Sequence, residues 1–354
     1  MSPEQRIKNL LRLVAQQNAS DLHLTVGRYP TFRIDGQLCP YTQESILTPA
    51  DTKTLAEVIL NEERKKKMIE TGQVDFSYTL EDKARFRVNA FFQQGYVSVA
   101  MRLIPKEIRT LEQLGVPEIL YDFTKYSQGL VLLVGPVGHG KSTTLAAIIN
   151  YINHKQAKHI ITVEDPIEYV YEQDKCIIDQ REVYQDSKSF QTALKAVFRE
   201  DANVVLIGEM RDLDTISTAL TAAETGHLIF ATLHTNDSPQ TIDRIIDVFP
   251  AHQQNQVKMQ LAATLLGVVS QRLLPRVDGG RIPAMEIMLK NHAVENLIRE
   301  GKNYQLDNVI ETCAEQGMIT MDKYLAELVK KGIVAAGSAL PYAKDQKNFQ
   351  SLLD

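Results

Sequence analysis

Residues 130–143 read LVLLVGPVGHGKST. An apolar run of five ends at Val134, and a glycine-rich turn follows. Lys141-Ser142-Thr143 then opens a stretch of helical character. The run is short, continuous and apolar, which suits a strand covered on both faces. The turn, Gly135-Pro136-Val137-Gly138-His139-Gly140, followed by Lys141-Ser142-Thr143, matches GxxxxGK[ST]. Each residue type has a physical reason. Glycines let backbone N–H groups close around an anion without Cβ clashes. The helix N-terminus adds a field that favours negative charge. Lys141 can bridge β- and γ-phosphates, and the Ser142 hydroxyl can ligate Mg²⁺. Strand, turn and helix in this order mark a nucleotide-phosphate loop, with ATP and Mg²⁺ as the expected ligands.

Three further apolar runs lie downstream, IITV (160–163), VVLI (204–207) and LIFATL (228–233). Helix-like segments at 141–153, 189–199 and 213–224 separate the four runs. Alternation of this kind predicts an α/β domain with a predominantly parallel sheet. Ligands bind such sheets beyond the C-terminal ends of the strands, so the residues there are candidates. ITVEDPIEY places Glu164, Asp165 and Glu168 after one run. VVLIGEMRD delivers Glu209 after another, with Gly208 where many phosphate-loop ATPases carry an Mg²⁺-associated Asp. Glu209 is therefore expected to polarise water or stand in the Mg²⁺ shell. In GHLIFATLHTND, His227 and His234 flank a strand, and His234 is at the nucleotide end, able to donate to a γ-phosphate oxygen.

The chain before this core has a different pattern. Residues 2–17 predict an amphipathic helix with Ser2 as cap, Pro3 in the first turn, Gln5 completing a capping box, and Ile7, Leu10, Leu11 and Val14 on one face. DLHLTVGRYPTFRIDGQL has strand-like alternation, with turns at Gly27 and Asp35-Gly36. A Lys- and Glu-rich helical region (49–70) and strands in VDFSYTL, RFRVNAFFQQ and YVSVAMRLI complete a small α+β domain over 1–104. Pro105 and Pro117 bracket an expected linker, 105–117. The second domain is expected over 118–354, mostly helical from about 285 to 334 and frayed over 335–354.

The chain has 354 residues, 39 basic and 44 acidic, for a formal net charge of -5. That balance argues against a general nucleic-acid binder. Cys39, Cys176 and Cys313 lie far apart and form neither a disulfide framework nor a zinc knuckle. The N-terminus lacks a signal-peptide pattern, and no window approaches a membrane span. These features predict a cytoplasmic protein. An NKxD-like guanine-reading segment after the phosphate loop is missing, which disfavours a GTPase. Retention of Lys141, Ser142, Glu164 and Glu209 disfavours a nucleotide-binding module without turnover.

The phosphate loop, ITVEDPIEY, GEMRD and GHLIFATLHTND, in this order, resemble the secretion ATPase superfamily of type II and type IV pilus systems. The last three are that family's Asp box, Walker B and His box. ASDLHL (19–24) is similar to the start of the family's PAS-like N-terminal domain. The resemblance implies a RecA-like ATPase core and a homohexameric ring. It also implies a pilus platform protein in the inner membrane as partner, and arginines of the N-terminal domain at the γ-phosphate. Arg85, Arg87 and Arg102 match the strand region concerned. Within the family, the short chain, the missing tetracysteine motif and Ala293-Val294-Glu295-Asn296-Leu297-Ile298-Arg299-Glu300 resemble the branch that retracts pili. That last segment resembles the motif AIRNLIRE, with Val294 for Ile and Glu295 for Arg. Its apolar positions Ala293, Val294, Leu297 and Ile298 predict one helical face. The alternatives are a pilus-extension or type II secretion motor, or a RecA-like nucleic-acid translocase.

Overall fold

The computed structural model describes residues 2–17, 19–34, 36–81, 84–104 and 107–354. Asp35 of the expected turn, and Pro105 and Lys106 of the expected linker, lie outside the described residues. The chain forms two compact units, Met1–Glu107 with Pro166–Val170, and Ile108–Asp165 with Tyr171–Asp354.

The first unit opens with the helix Pro3–Gln16, where Ser2 and Gln5 form the expected capping box. Its buried positions are Ile7, Leu10, Leu11 and Val14, the face read from the sequence. Region 49–70 is two helices, Pro49–Ile59 and Glu62–Thr71. The break arises because Asn61 takes an extended conformation and caps the second helix, accepting from the Arg64 N–H at 2.9 Å. Six strands follow the alternating pattern: β1 (Asp21–Leu24), β2 (Thr31–Ile34), β3 (Gln37–Pro40), β4 (Gln73–Leu80), β5 (Ala84–Gln93) and β6 (Tyr96–Ile104). Among the described residues they pair antiparallel in the order β3-β2-β1-β6-β5-β4. Phe86, Val88 and Ala90 of β5 are buried with Leu22, Leu24, Val99 and Met101 in one cluster. The period of two sends Arg85 and Arg87 to the opposite face.

The second unit carries β7 (Gly129–Val134), β8 (His159–Glu164), β9 (Ile177–Glu182), β10 (Val204–Ile207), β11 (Leu228–Leu233), β12 (Leu265–Pro275) and β13 (Arg281–Leu289). Their order is β13-β12-β7-β11-β10-β8-β9. All neighbours are parallel except β12 and β13, which make an antiparallel edge. The four apolar runs are β7, β8, β10 and β11, and β7, β10 and β11 are buried along their whole length. The intervening helices are Lys141–Lys155, Phe190–Val197 and Leu213–Glu224. This is the RecA-like arrangement expected of the core, a mostly parallel sheet covered by helices.

Two expectations about the C-terminal region need correction. Residues 285–289 are strand, because β13 pairs with β12 through Leu289; the helical part begins at His292. Residues 335–354 are not frayed. They form the helices Ala336–Ala339 and Gln346–Leu353, and Phe349 is 1% exposed in a cluster with Leu274, Leu325 and Val334. Burying a side chain of that size contributes about 1.5–3 kcal/mol, enough to hold a short polar helix in place. In the helix His292–Glu300 the buried seam is Val294 and Ile298; Leu297 is half-buried and Ala293 is exposed. Glu295, the charge-reversed position, is absorbed locally by Arg299 at 3.0 Å and Lys290 at 3.5 Å.

Candidate active site

Four strand ends of the second unit build the site. After β7 the chain turns through Gly135, Gly138 and Gly140, at φ +142°, +82° and +80°, and enters the helix at Lys141. A Cβ on Gly135 would lie inside contact distance of the Gln271 carbonyl oxygen, so no other residue fits there. Val137 is the exposed crest of the loop. Lys141 is 6% exposed and points back into the loop. Its Nζ donates to Gly135 O at 2.7 Å and Pro136 O at 2.9 Å, and lies 3.2 Å from His234 Nδ1.

His234 follows β11 and stands between two charged partners. Its Nε2 is 3.2 Å from Glu209 Oε2. An ammonium group only donates, so Nδ1 accepts from Lys141 and Nε2–H donates to Glu209. The ring thus couples the phosphate-loop lysine to the carboxylate after β10. Glu209 is held between pinned neighbours. Thr232 Oγ1 donates to Gly208 O at 2.6 Å, and Met210 N donates to Thr232 O at 3.0 Å. Arg211 Nη2 closes on Glu209 Oε2 at 2.7 Å. Burial works to raise the Glu209 pKa, but the hydrogen bond from Arg211, with His234 as second partner, holds it below the usual carboxylate range.

Glu164 ends β8, the strand beside β10. It is 8% exposed and accepts from Thr162 Oγ1 at 2.7 Å. A Cβ on Gly208 would come within 3.2 Å of Glu164 Cα, which explains why the position beside Glu209 carries no side chain. The two glutamates therefore end adjacent strands at the same edge of the sheet. His227 is at the other end of β11. Its Nδ1 is 3.1 Å from Ala222 O and its ring packs edge to face on Phe198, a structural placement remote from Lys141.

The sequence reading missed a clamp from β12. Gln271, 1% exposed, donates through Nε2 to His139 O at 2.8 Å and accepts from Thr144 Oγ1 at 2.9 Å. The Leu273 N–H donates to His139 Nδ1 at 2.9 Å. Arg272 Nη2 donates to Asn236 O at 3.0 Å, and Ser270 Oγ donates to the same oxygen at 2.7 Å. One strand thus holds both the phosphate loop and the turn after His234. Burial, then the charges of Arg272 and Lys141, push the His139 pKa down, consistent with a neutral acceptor ring. The available signal was Ser270-Gln271-Arg272 interrupting an apolar strand.

Arg85, Arg87 and Arg102 belong to the first unit. Arg85 Nη2 donates to Ser77 Oγ at 2.8 Å. Arg87 Nη1 is 3.7 Å from Glu168 Oε1, in the segment that clusters with this unit. Arg102 Nε donates to Asp21 Oδ1 at 2.8 Å. Arg87, Arg102, Asp21 and Arg33 are successive cross-strand partners, a row rich in positive charge. Burial favours a raised Asp21 pKa, but Ser20 and Arg102 keep it below the usual range.

The loop fits a nucleotide. Gly135 leaves room only for backbone, Gly138 and Gly140 take the left-handed conformation that glycine favours, and the lysine is buried against carbonyls that an anion would replace. Among the described residues no cluster of three or more His, Cys, Asp and Glu side chains is arranged to hold a metal by itself. The oxygen donors Ser142, Glu164 and Glu209 suit Mg²⁺ carried by phosphates, an ion that keeps few protein ligands.

Comparison with known proteins identifies the family. Residues 2–317 match the family described as type II/IV secretion system protein. The chain is 44% identical to the type IV pilus retraction ATPase PilT of Pseudomonas aeruginosa, covering 97% of this chain and 99% of that one. It is 42% identical to a twitching motility protein of Neisseria gonorrhoeae, covering 97% and 92%. A crystal structure of the pilus retraction motor PilT with bound ADP superimposes with a TM-score of 0.90, at 45% identity, over 98% of this chain and 99% of that one. Family match, end-to-end similarity and superposition agree: the chain belongs to the type II/IV secretion system protein family.

Proposed function

We propose that this chain is an ATP-hydrolysing motor subunit that powers pilus retraction. Six copies form a ring, and the ring works at the cytoplasmic face of the inner membrane through a platform protein. Among the described residues no helix is long and apolar enough to cross a membrane. The observation that carries the hydrolysis is the Lys141–His234–Glu209 chain of contacts at the end of the sheet, and the end-to-end similarity to PilT supports retraction.

The residues divide the work. The backbone N–H groups of 137–143, beyond Pro136, and the N-terminus of the helix Lys141–Lys155 receive the phosphates. Lys141 exchanges Gly135 O and Pro136 O for β- and γ-phosphate oxygens, and in doing so releases His234 Nδ1. His234 then passes the withdrawal of Lys141 to Glu209 through Nε2–H, and Glu209 orients and polarises the attacking water. Glu164 is the second carboxylate at the same edge. The Ser142 hydroxyl would hold Mg²⁺ with Glu209 in the outer shell, and the bound ion would neutralise charge on the phosphates. Arg85, Arg87 and Arg102 supply positive charge to the γ-phosphate of a neighbouring site.

Loss of the gene tests the function. Cells without the protein are expected to keep pili and lose twitching, because assembled pili are no longer withdrawn. Bald cells would assign the chain to extension instead.

Mixed rings test the arginines. A subunit carrying Arg85→Ala, Arg87→Ala or Arg102→Ala is mixed with a Lys141→Ala subunit, and mixing is confirmed. Partial recovery of phosphate release is expected, since some interfaces regain both groups. The result that counts against action across subunits is an absence of recovery at every ratio for all three arginines.

A further inference from the structure

The stretch 342–345, near the C-terminus, reaches the phosphate site from two sides. The Tyr342 ring meets His139 edge to face, with centroids 5.9 Å apart. His139 belongs to the phosphate loop and is fixed on its other side by Leu273 and Gln271. Two residues on, Lys344 Nζ donates to both oxygens of Asp307 at 2.8 Å and lies 3.3 Å from Asp237 Oδ2. Asp237 is the N-cap of the helix Ser238–Asp247 and stands three residues after His234. Beside it Glu286, 2% exposed, accepts from Ser238 N at 2.9 Å and Ser238 Oγ at 2.8 Å.

The stretch is itself firmly held. Both oxygens of Asp322 accept its backbone, from Lys344 N at 2.6 Å and Asp345 N at 3.0 Å. The buried Phe349 anchors the helix that follows. A rigid terminal segment therefore places one aromatic ring on the phosphate loop and one cation on the turn that carries His234. An ammonium between two aspartates has a mechanical consequence. With Lys344 in place, Asp237 and Asp307 are drawn together; without it they repel, and the Asp237 turn is released.

We propose that Lys344 and Tyr342 are positioning residues for phosphate chemistry, Lys344 by fixing the His234 turn and Tyr342 by fixing His139 in the phosphate loop. The proposal rests on the nucleotide-site reading above. It separates two effects. A loosened His234 turn misplaces groups that act on the transferred phosphate, which lowers kcat. A loosened phosphate loop weakens nucleotide binding, which raises KM.

Steady-state ATP turnover and equilibrium binding of fluorescent ADP on the full-length protein test this, with thermal melting to monitor folding. Lys344→Met is expected to lower kcat about tenfold with KM within about twofold, the effect of a sub-ångström to 1 Å displacement. Lys344→Arg keeps the cation and should restore kcat. Tyr342→Ala should raise KM and the ADP dissociation constant about fivefold, whereas Tyr342→Phe keeps both near wild type. Should Lys344→Met melt early, Asp237→Asn serves the same purpose. Asparagine caps a helix as well as aspartate, so only the ion pair to Lys344 is lost, and kcat should again fall. Wild-type kcat in both Lys344→Met and Asp237→Asn overturns the role of Lys344. Wild-type KM in Tyr342→Ala overturns the role of Tyr342. Lys141→Ala distinguishes the levels. If it is inactive while these variants match wild type, only the positioning proposal fails; if it turns over normally, the site reading fails with it.

Discussion

Lys141→Ala is expected to lower ATP turnover by at least about 10²–10³-fold, the scale of removing one preorganised electrostatic group from a reacting centre. The structure gives this lysine more than one task. Its ammonium is the charge that would meet the β- and γ-phosphates. It also ties the loop together through Gly135 O and Pro136 O, and it sets the tautomer of His234. Alanine removes all three at once. The space the side chain vacates lets water reach the buried Gly135 O and the half-buried Pro136 O, so the fold should survive. Nucleotide binding should weaken as well, because the backbone cradle remains but its counter-charge does not. Phosphate release by purified protein, with circular dichroism to confirm folding, measures the outcome. Turnover within about twofold of wild type would remove the phosphate loop from the mechanism.

The features that define this site were legible because they are local. Each apolar run is buried along most of its length and stops where the chain reaches the sheet edge, so Lys141, Glu164, Glu209 and His234 could be read from the residues that follow those runs. The capping box at Ser2 and Gln5 is equally local. What escaped reading depends on partners far away in sequence. Ser270, Gln271 and Arg272 look out of place in an apolar strand until His139, Thr144 and Asn236 are seen to take their hydrogen bonds. The C-terminal segment reads as polar and frayed because the partners of the Lys344 ammonium, Asp237 and Asp307, and of its backbone, Asp322, are far away in sequence. Periodicity also placed Ala293 on the buried face of its helix. The nine-residue helix buries a narrower stripe, Val294 and Ile298, and leaves Ala293 to solvent.

Glu209→Gln should keep nucleotide binding near wild type and cut hydrolysis by at least about 10²-fold, the range of a catalytic acid–base group. Glutamine has nearly the same shape and can still accept from Arg211 and His234, so the turn between Gly208 and Met210 should stay in place. Only the negative charge is lost, and with it the ability to polarise water. The acid limb of activity carries a further sign. Arg211 and His234 outweigh burial and hold the Glu209 pKa below the usual carboxylate range. Its charge therefore persists as pH falls through that range and is lost only below it, so the activity loss due to Glu209 should begin at a lower pH than for an ordinary glutamate. The same group adds stability above its unfolded pKa that disappears as pH falls through the folded one. A strong base needs a pKa closer to the working pH, so Glu209 is better suited to orient water than to take a full proton in this state. Glu164→Gln is the matching variant. If Glu209→Gln loses nucleotide affinity while its bound complexes still turn over, Glu209 serves the Mg²⁺ shell. Glu164, buried against Thr162 at the end of the adjacent strand, then becomes the residue that activates water.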